Sequence, residues 1–176
     1  MEKLRTIYRL RILRGGLMLS ILSILWGLGL FAFLNMFHGG MSSHMKSVIC
    51  NANGITNEAQ MDIVYCKLSQ VNSNFYEAAT NAIVLGVMSV VFLLLIIRLN
   101  GNNQIRIVIS WLMGAGVVLY AAASFYNAVN FVNSTNFNMV TENQWLLIPG
   151  LVLLFCGVLL AVIKTIHDLT MPIGLD

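Results

Sequence analysis

The residues best suited to chemistry fall between Met36 and Gln70. Cys50 and Cys66 lie 16 positions apart in one polar stretch. A bond between them would close a loop of about 15 residues, worth roughly 3 kcal/mol in the chain-entropy picture. Such a bond persists in an oxidising compartment. The pair therefore reads as a staple. The redox alternative needs a closely spaced pair and a second pair to relay electrons. The sequence has no C-x-x-C. Its third cysteine, Cys156, lies within an apolar run and reads as a small packing residue.

Just upstream runs His38-Gly-Gly-Met-Ser-Ser-His44-Met45, preceded by Met36. Imidazole and thioether donors suit copper. Their spacing forms no closed ligand set, so His38 and His44 are weak metal candidates and no cofactor is expected. Haem held between helices would need histidines within the apolar runs. His38, His44 and His167 all lie outside them.

The segments that must position these residues are strongly apolar. The chain has 176 residues, 58% of them hydrophobic and 10% charged. Soluble domains carry about 25% charged residues, so this chain has too little charge to coat a water-facing surface. Four runs reach the roughly 20 apolar residues that a bilayer crossing needs: 17–37, 78–97, 107–126 and 145–163. The first is longer than a signal-peptide core and has no A-x-A-like cleavage site after it, so it reads as a retained anchor. The expected fold is all-α: one domain over 1–176, a bundle of four transmembrane helices, with a small disulfide-stapled cap between the first two.

Basic residues set the orientation. With the N-terminus inside, Lys3, Arg5, Arg9, Arg11, Arg14, Arg98, Arg106 and Lys164 lie inside, and only Lys46 and Lys67 lie outside. Eight against two places both termini in the cytoplasm, in a plasma or cytoplasmic membrane. The basic N-terminal cluster runs straight into an apolar span, so it reads as a topology signal rather than a nucleic-acid site. Trp111 and Trp145 stand at span edges, as interface anchors do. Trp26 lies mid-span and is expected to pack on a neighbouring helix.

The outer loop covers 38–77. Its first part, 38–57, holds Gly39, Gly40 and Gly54 with several Asn and Ser, and reads as irregular loop. From Glu58 the pattern turns helical. Ala59, Ile63, Cys66 and Gln70 form one stripe, and Met61, Val64, Leu68 and Val71 form another. Asn57 is a candidate cap. With no Pro or Gly over 58–85, the second span is expected to begin well outside the bilayer. Residues 99–104 make a tight turn between spans two and three. The sequon Asn133-Ser-Thr135 matters only in a eukaryotic secretory pathway.

No acidic or basic residue lies within a span, which removes the relay that proton-coupled transport requires. The halves do not repeat, so an inverted-repeat carrier has no support. Small residues recur instead. Gly27, Gly114, Gly116, Gly150 and Gly157 let helices approach closely, and Asn81 could hydrogen-bond across them.

The layout resembles claudin-like tetraspans: inner termini, a large first outer loop with two cysteines, and a short second one. The W-G-L-W run of that family is missing, and Trp26-Gly27-Leu28 lies within span one. No function is carried over.

These features point to a non-enzymatic tetraspan that acts by binding, as an accessory or assembly subunit or an immunity- or adhesion-type protein. Its partners would be the lipid bilayer and other membrane proteins or itself. The outer face around Glu58, Asp62 and Tyr65 is the expected contact surface. Two alternatives stand beside this. One is a subunit of an oligomeric channel or carrier lined by Ser20, Ser23, Asn81, Ser89 and Ser110. The other is a thiol-redox protein using Cys50 and Cys66.

Overall fold

The computed structural model describes residue 8 and residues 10–53, 61–98, 103–133 and 144–170. Among these, all regular structure is helical. Five helices follow in order: α1 (Arg14–Met36), α2 (His38–Asn53), α3 (Met61–Arg98), α4 (Asn103–Asn133) and α5 (Gln144–Thr170). Four of them, α1, α3, α4 and α5, are long and apolar enough to cross a membrane.

The helices outrun the apolar runs that predict them. α3 has 38 residues, about 57 Å at 1.5 Å per residue, against roughly 30 Å of bilayer hydrocarbon. Its surplus is the polar half before Ala78, as the uninterrupted 58–85 pattern predicts. Asn57 and Glu58 lie outside the described residues.

α4 is the centre. It runs parallel to α1, since Gly15 meets Trp111 and Trp26 meets Phe125. It runs antiparallel to α5, since Gly116 meets Leu154 and Gly157 meets Met113. α3 runs antiparallel to α1, with Gly27 on Ala79 and Gly86 on Ser20. α5 lies almost wholly on α4, touches α3 slightly and makes no contact with α1 among the described residues. The bundle is thus three mutually packed helices with a fourth on one flank.

Large apolar side chains gather at the two ends. Leu13, Leu17, Leu93, Ile96, Ile109 and Met113 form one cluster, near the end of α3 and the start of α4. Leu34, Met45, Ile49, Val64, Phe75 and Phe131 form the other, at the end capped by α2. Between these clusters the helices meet through small residues: Ser20, Ser23, Gly27, Ala79, Ala82, Gly86, Ser89 and Gly114, all buried. Lipid supplies no hydrophobic drive between apolar helices, so close backbone approach and hydrogen bonds carry the association.

Two expectations for 38–77 need correction. The stretch 38–53 is a helix, not irregular loop. Gly39 and Gly40 fall in its first turn, where the N–H groups have no intrahelical partner in any case. Met45 and Ile49, one turn apart, bury against Val64 and Leu68 on α3, also one turn apart. That tertiary contact outweighs the polar local composition. The Cys50–Cys66 staple is not formed either: both thiols are free. Cys50 is half-buried beside the cap cluster. Cys66 projects from the opposite side of α3 to buried Val64, Leu68 and Val71, and is exposed.

Candidate interaction surface on the cap

The cap is built from α2, the first half of α3 and the last turns of α4. Its inner face is the cluster of Met45, Ile49, Val64, Leu68, Val71, Ala128 and Phe131. Seven apolar side chains from three helices there give the cap a core, which is continuous with Leu34 of α1 and Phe75 of α3. Burying a Leu, Ile or Met side chain contributes about 1.5–3 kcal/mol, enough to hold a 16-residue helix that would be marginal alone.

The outward face of α3 is polar. Asp62, Cys66, Ser69, Gln70, Ser73 and Glu77 are all exposed, at helical spacings along one side. Ile63 and Tyr65 flank them and are about half exposed. Tyr65 is also tied to α2: Lys46 Nζ donates to its hydroxyl at 3.1 Å and stands 4.8 Å from the ring centroid. The structure therefore brings Asp62 and Tyr65 to the same exposed end of α3. Glu58, the third residue of the expected surface, lies outside the described residues.

Below the cap, Tyr76 donates a hydrogen bond to Asn35 Oδ1 at 3.2 Å, and its ring meets Phe31 edge-on at 5.6 Å. These contacts tie α3 to the end of α1 and fix the cap relative to the spans.

Sequence reasoning missed Lys67. It lies about 16 Å beyond Ala78 on α3, outside the apolar run, and yet is fully buried. Its ammonium stands 5.9 Å from the Phe131 ring centroid, a cation–π approach. Burial pushes its pKa below the ordinary lysine value. Its place three residues after Val64 and four before Val71 was the available signal, since it shares their stripe.

His44 is exposed on α2, and His38 begins that helix. Among the described residues no group of three or more His, Cys, Asp or Glu side chains could hold an ion.

The serines proposed for a pore lie inside the bundle. Ser20 and Ser89 share a hydrogen bond of 2.8 Å, and Ser20 Oγ also donates to Gly16 O at 2.8 Å. Ser23 Oγ donates to Ala82 O and Ser110 Oγ to Leu13 O, each at 3.1 Å. All four side chains are buried. Asn81, half-buried on α3, makes none of the cross-helix hydrogen bonds seen among the described residues.

The five singled-out glycines sit at helix crossings. A Cβ on Gly27 would meet Ala79 O at 2.7 Å, on Gly114 the Cα of Gly16 at 2.8 Å, and on Gly116 the Leu154 nitrogen at 2.6 Å. On Gly150 it would meet the Tyr120 nitrogen at 2.8 Å, and on Gly157 the Met113 Cγ at 2.6 Å. Trp26, half exposed, meets Phe125 edge-on at 5.6 Å.

No protein-family model matches the chain, nor does any curated protein or solved structure.

Proposed function

We propose that this chain is a four-span integral membrane protein that acts by binding, with both termini in the cytoplasm and its cap outside. It would serve as an accessory or assembly subunit of a membrane complex, or as an immunity- or adhesion-type protein, and would carry out no catalysis. The observation that carries this reading is the cap itself. It has an apolar core that joins it to the end of α1, and a polar face running from Asp62 to Glu77. A helix pair held this firmly outside a bilayer presents a fixed surface.

The charge placement supports the orientation. Arg11, Arg14, Arg106 and Lys164 lie at the end of the bundle where α1 begins, whereas Lys46 and Lys67 lie at the cap. Positive charge favours the cytoplasmic side. The burial of Ser20, Ser23, Ser89 and Ser110 in helix contacts removes most of the motive for a pore. The separation of Cys50 and Cys66 on α2 and on the far side of α3 does the same for a dithiol.

Extraction of the native protein in mild detergent, with mass spectrometry of what stays attached, tests the reading. A stoichiometric membrane protein partner is the expected result. Isolation as an inert monomer, with growth and membrane phenotypes unchanged on deletion, would contradict it.

A further inference from the structure

One face of α1 follows the seam with α4 and changes character along its length. Arg14, Met18, Leu22, Leu25 and Gly29 recur every three or four residues and so share that face, with Gly15 beside Arg14 and Arg11 three positions before the first residue of α1. At its start Arg11 and Arg14 are exposed. No acid occurs between Glu2 and Glu58. α1 touches α2, α3 and α4; α2 and α4 have no acid, and those of α3, Asp62 and Glu77, lie at the cap. Asp168 belongs to α5, which makes no contact with α1 among the described residues.

Trp111 of α4 lies directly over Gly15, where an added Cβ would fall 2.7 Å from its ring, and about half of the indole is exposed. Met18 and Leu22 continue the face, both exposed. It then opens into an apolar cavity of about 480 Å³ lined by Leu25, Trp26, Gly29, Phe33, Phe75 and Phe125. Gly29 has nothing near its Cβ position. The cavity is open along one side and almost wholly apolar, and its lining forfeits dispersion contacts wherever it is unfilled.

We propose that an anionic phospholipid occupies this seam, drawn from the leaflet at the α1 start. Its phosphate sits between Arg11 and Arg14, and one acyl chain runs past Met18 and Leu22 to the cavity mouth at Leu25 and Trp26. Charge complementarity selects the headgroup, as it does for basic sites beside membrane helices. Trp111 marks the headgroup level, where indoles concentrate. The reach also matches. Arg14 to Leu25 is about 16 Å of helix, and one leaflet is about half of the roughly 30 Å hydrocarbon core.

The test is native mass spectrometry of the full chain in neutral detergent, titrated with phosphatidylglycerol or phosphatidylcholine of identical chains. Phosphatidylglycerol is expected to be retained at least about tenfold better, less so at high salt. Arg11→Gln with Arg14→Gln should remove most of that preference, and Arg11→Lys with Arg14→Lys should keep it. Gly29→Phe, which fills the cavity, should weaken retention of long chains relative to short ones. Inorganic phosphate should not displace the lipid. Equal retention of both lipids by the wild type overturns the proposal, whether or not the variants fold, and leaves the four-span reading intact. An unchanged preference in the folded Gln variant, chain selectivity unmoved by Gly29→Phe, or displacement by phosphate alone would each overturn it as well. Retention of neither lipid would count against the four-span reading itself.

Discussion

Ser20 on α1 and Ser89 on α3 share a hydrogen bond of 2.8 Å, with both side chains buried at the crossing of the two helices. One turn along α1, Ser23 reaches Ala82 O on α3, and Ser110 of α4 reaches Leu13 O on α1. Each serine adds a hydroxyl at a point where small neighbours already let the backbones come close. These four serines therefore join helices.

Because that bond crosses two helices, Ser20→Ala and Ser89→Ala should each destabilise the bundle by about 0.6 kcal/mol, the usual size for such bonds in membranes. A double-mutant cycle in mixed micelles should give a coupling of similar size. Additive losses with no coupling would mean that the two hydroxyls do not bond to each other.

The glycine crossings give a sharper contrast. Gly116→Leu would drive a side chain into the backbone of Leu154, and overpacking of this kind costs roughly 1–3 kcal/mol. Gly29→Ala meets open space and should leave the thermal midpoint unchanged. Equal tolerance at the two positions would show that α4 and α5 are not held at the spacing described.

The thiols make a third test. Cys66 is exposed and Cys50 half-buried, neither bonded. Maleimide should label Cys66 quickly in the folded protein and Cys50 only slowly. Reductant should leave both labelling and the thermal midpoint unchanged. A gain of two reactive thiols on reduction would restore the staple that the spacing alone suggests.

Met45 and Ile49 hold α2 to the cap. Ile49→Ala should cost roughly 2–5 kcal/mol, as truncation of buried apolar side chains does. It should also raise amide hydrogen exchange over 38–53 while leaving α1 and α5 protected. Uniform loss of protection would mean that the cap and the spans unfold as one unit.

The four long helices were legible in the sequence because twenty uncharged residues in a row leave few alternatives. The long α3 was legible because nothing between Glu58 and Leu85 breaks a helix. α2 was not. Its glycines, serines and asparagines follow local loop preferences, and only its partners on α3 and α4 make Met45 and Ile49 a buried stripe. The cysteines misled for a related reason. Spacing along the chain set a plausible loop, but the helical phase of α3 turns Cys66 away from the buried stripe. In the cap, Asp62 and Tyr65 do share an exposed end of α3, whereas Lys67, on the buried stripe, could be found only by trusting the helical period over the usual exposure of lysine.

The most direct measurement of the central claim is photocrosslinking in intact cells. A photoreactive amino acid would replace Asp62 or Tyr65 on the cap, with Phe155 on the exposed face of α5 as the comparison. If the cap is a binding surface, Asp62 and Tyr65 will give one discrete adduct with the same protein, and Phe155 will give mainly lipid. Diffuse lipid or solvent products at both cap positions, with the protein folded and expressed, would contradict the account.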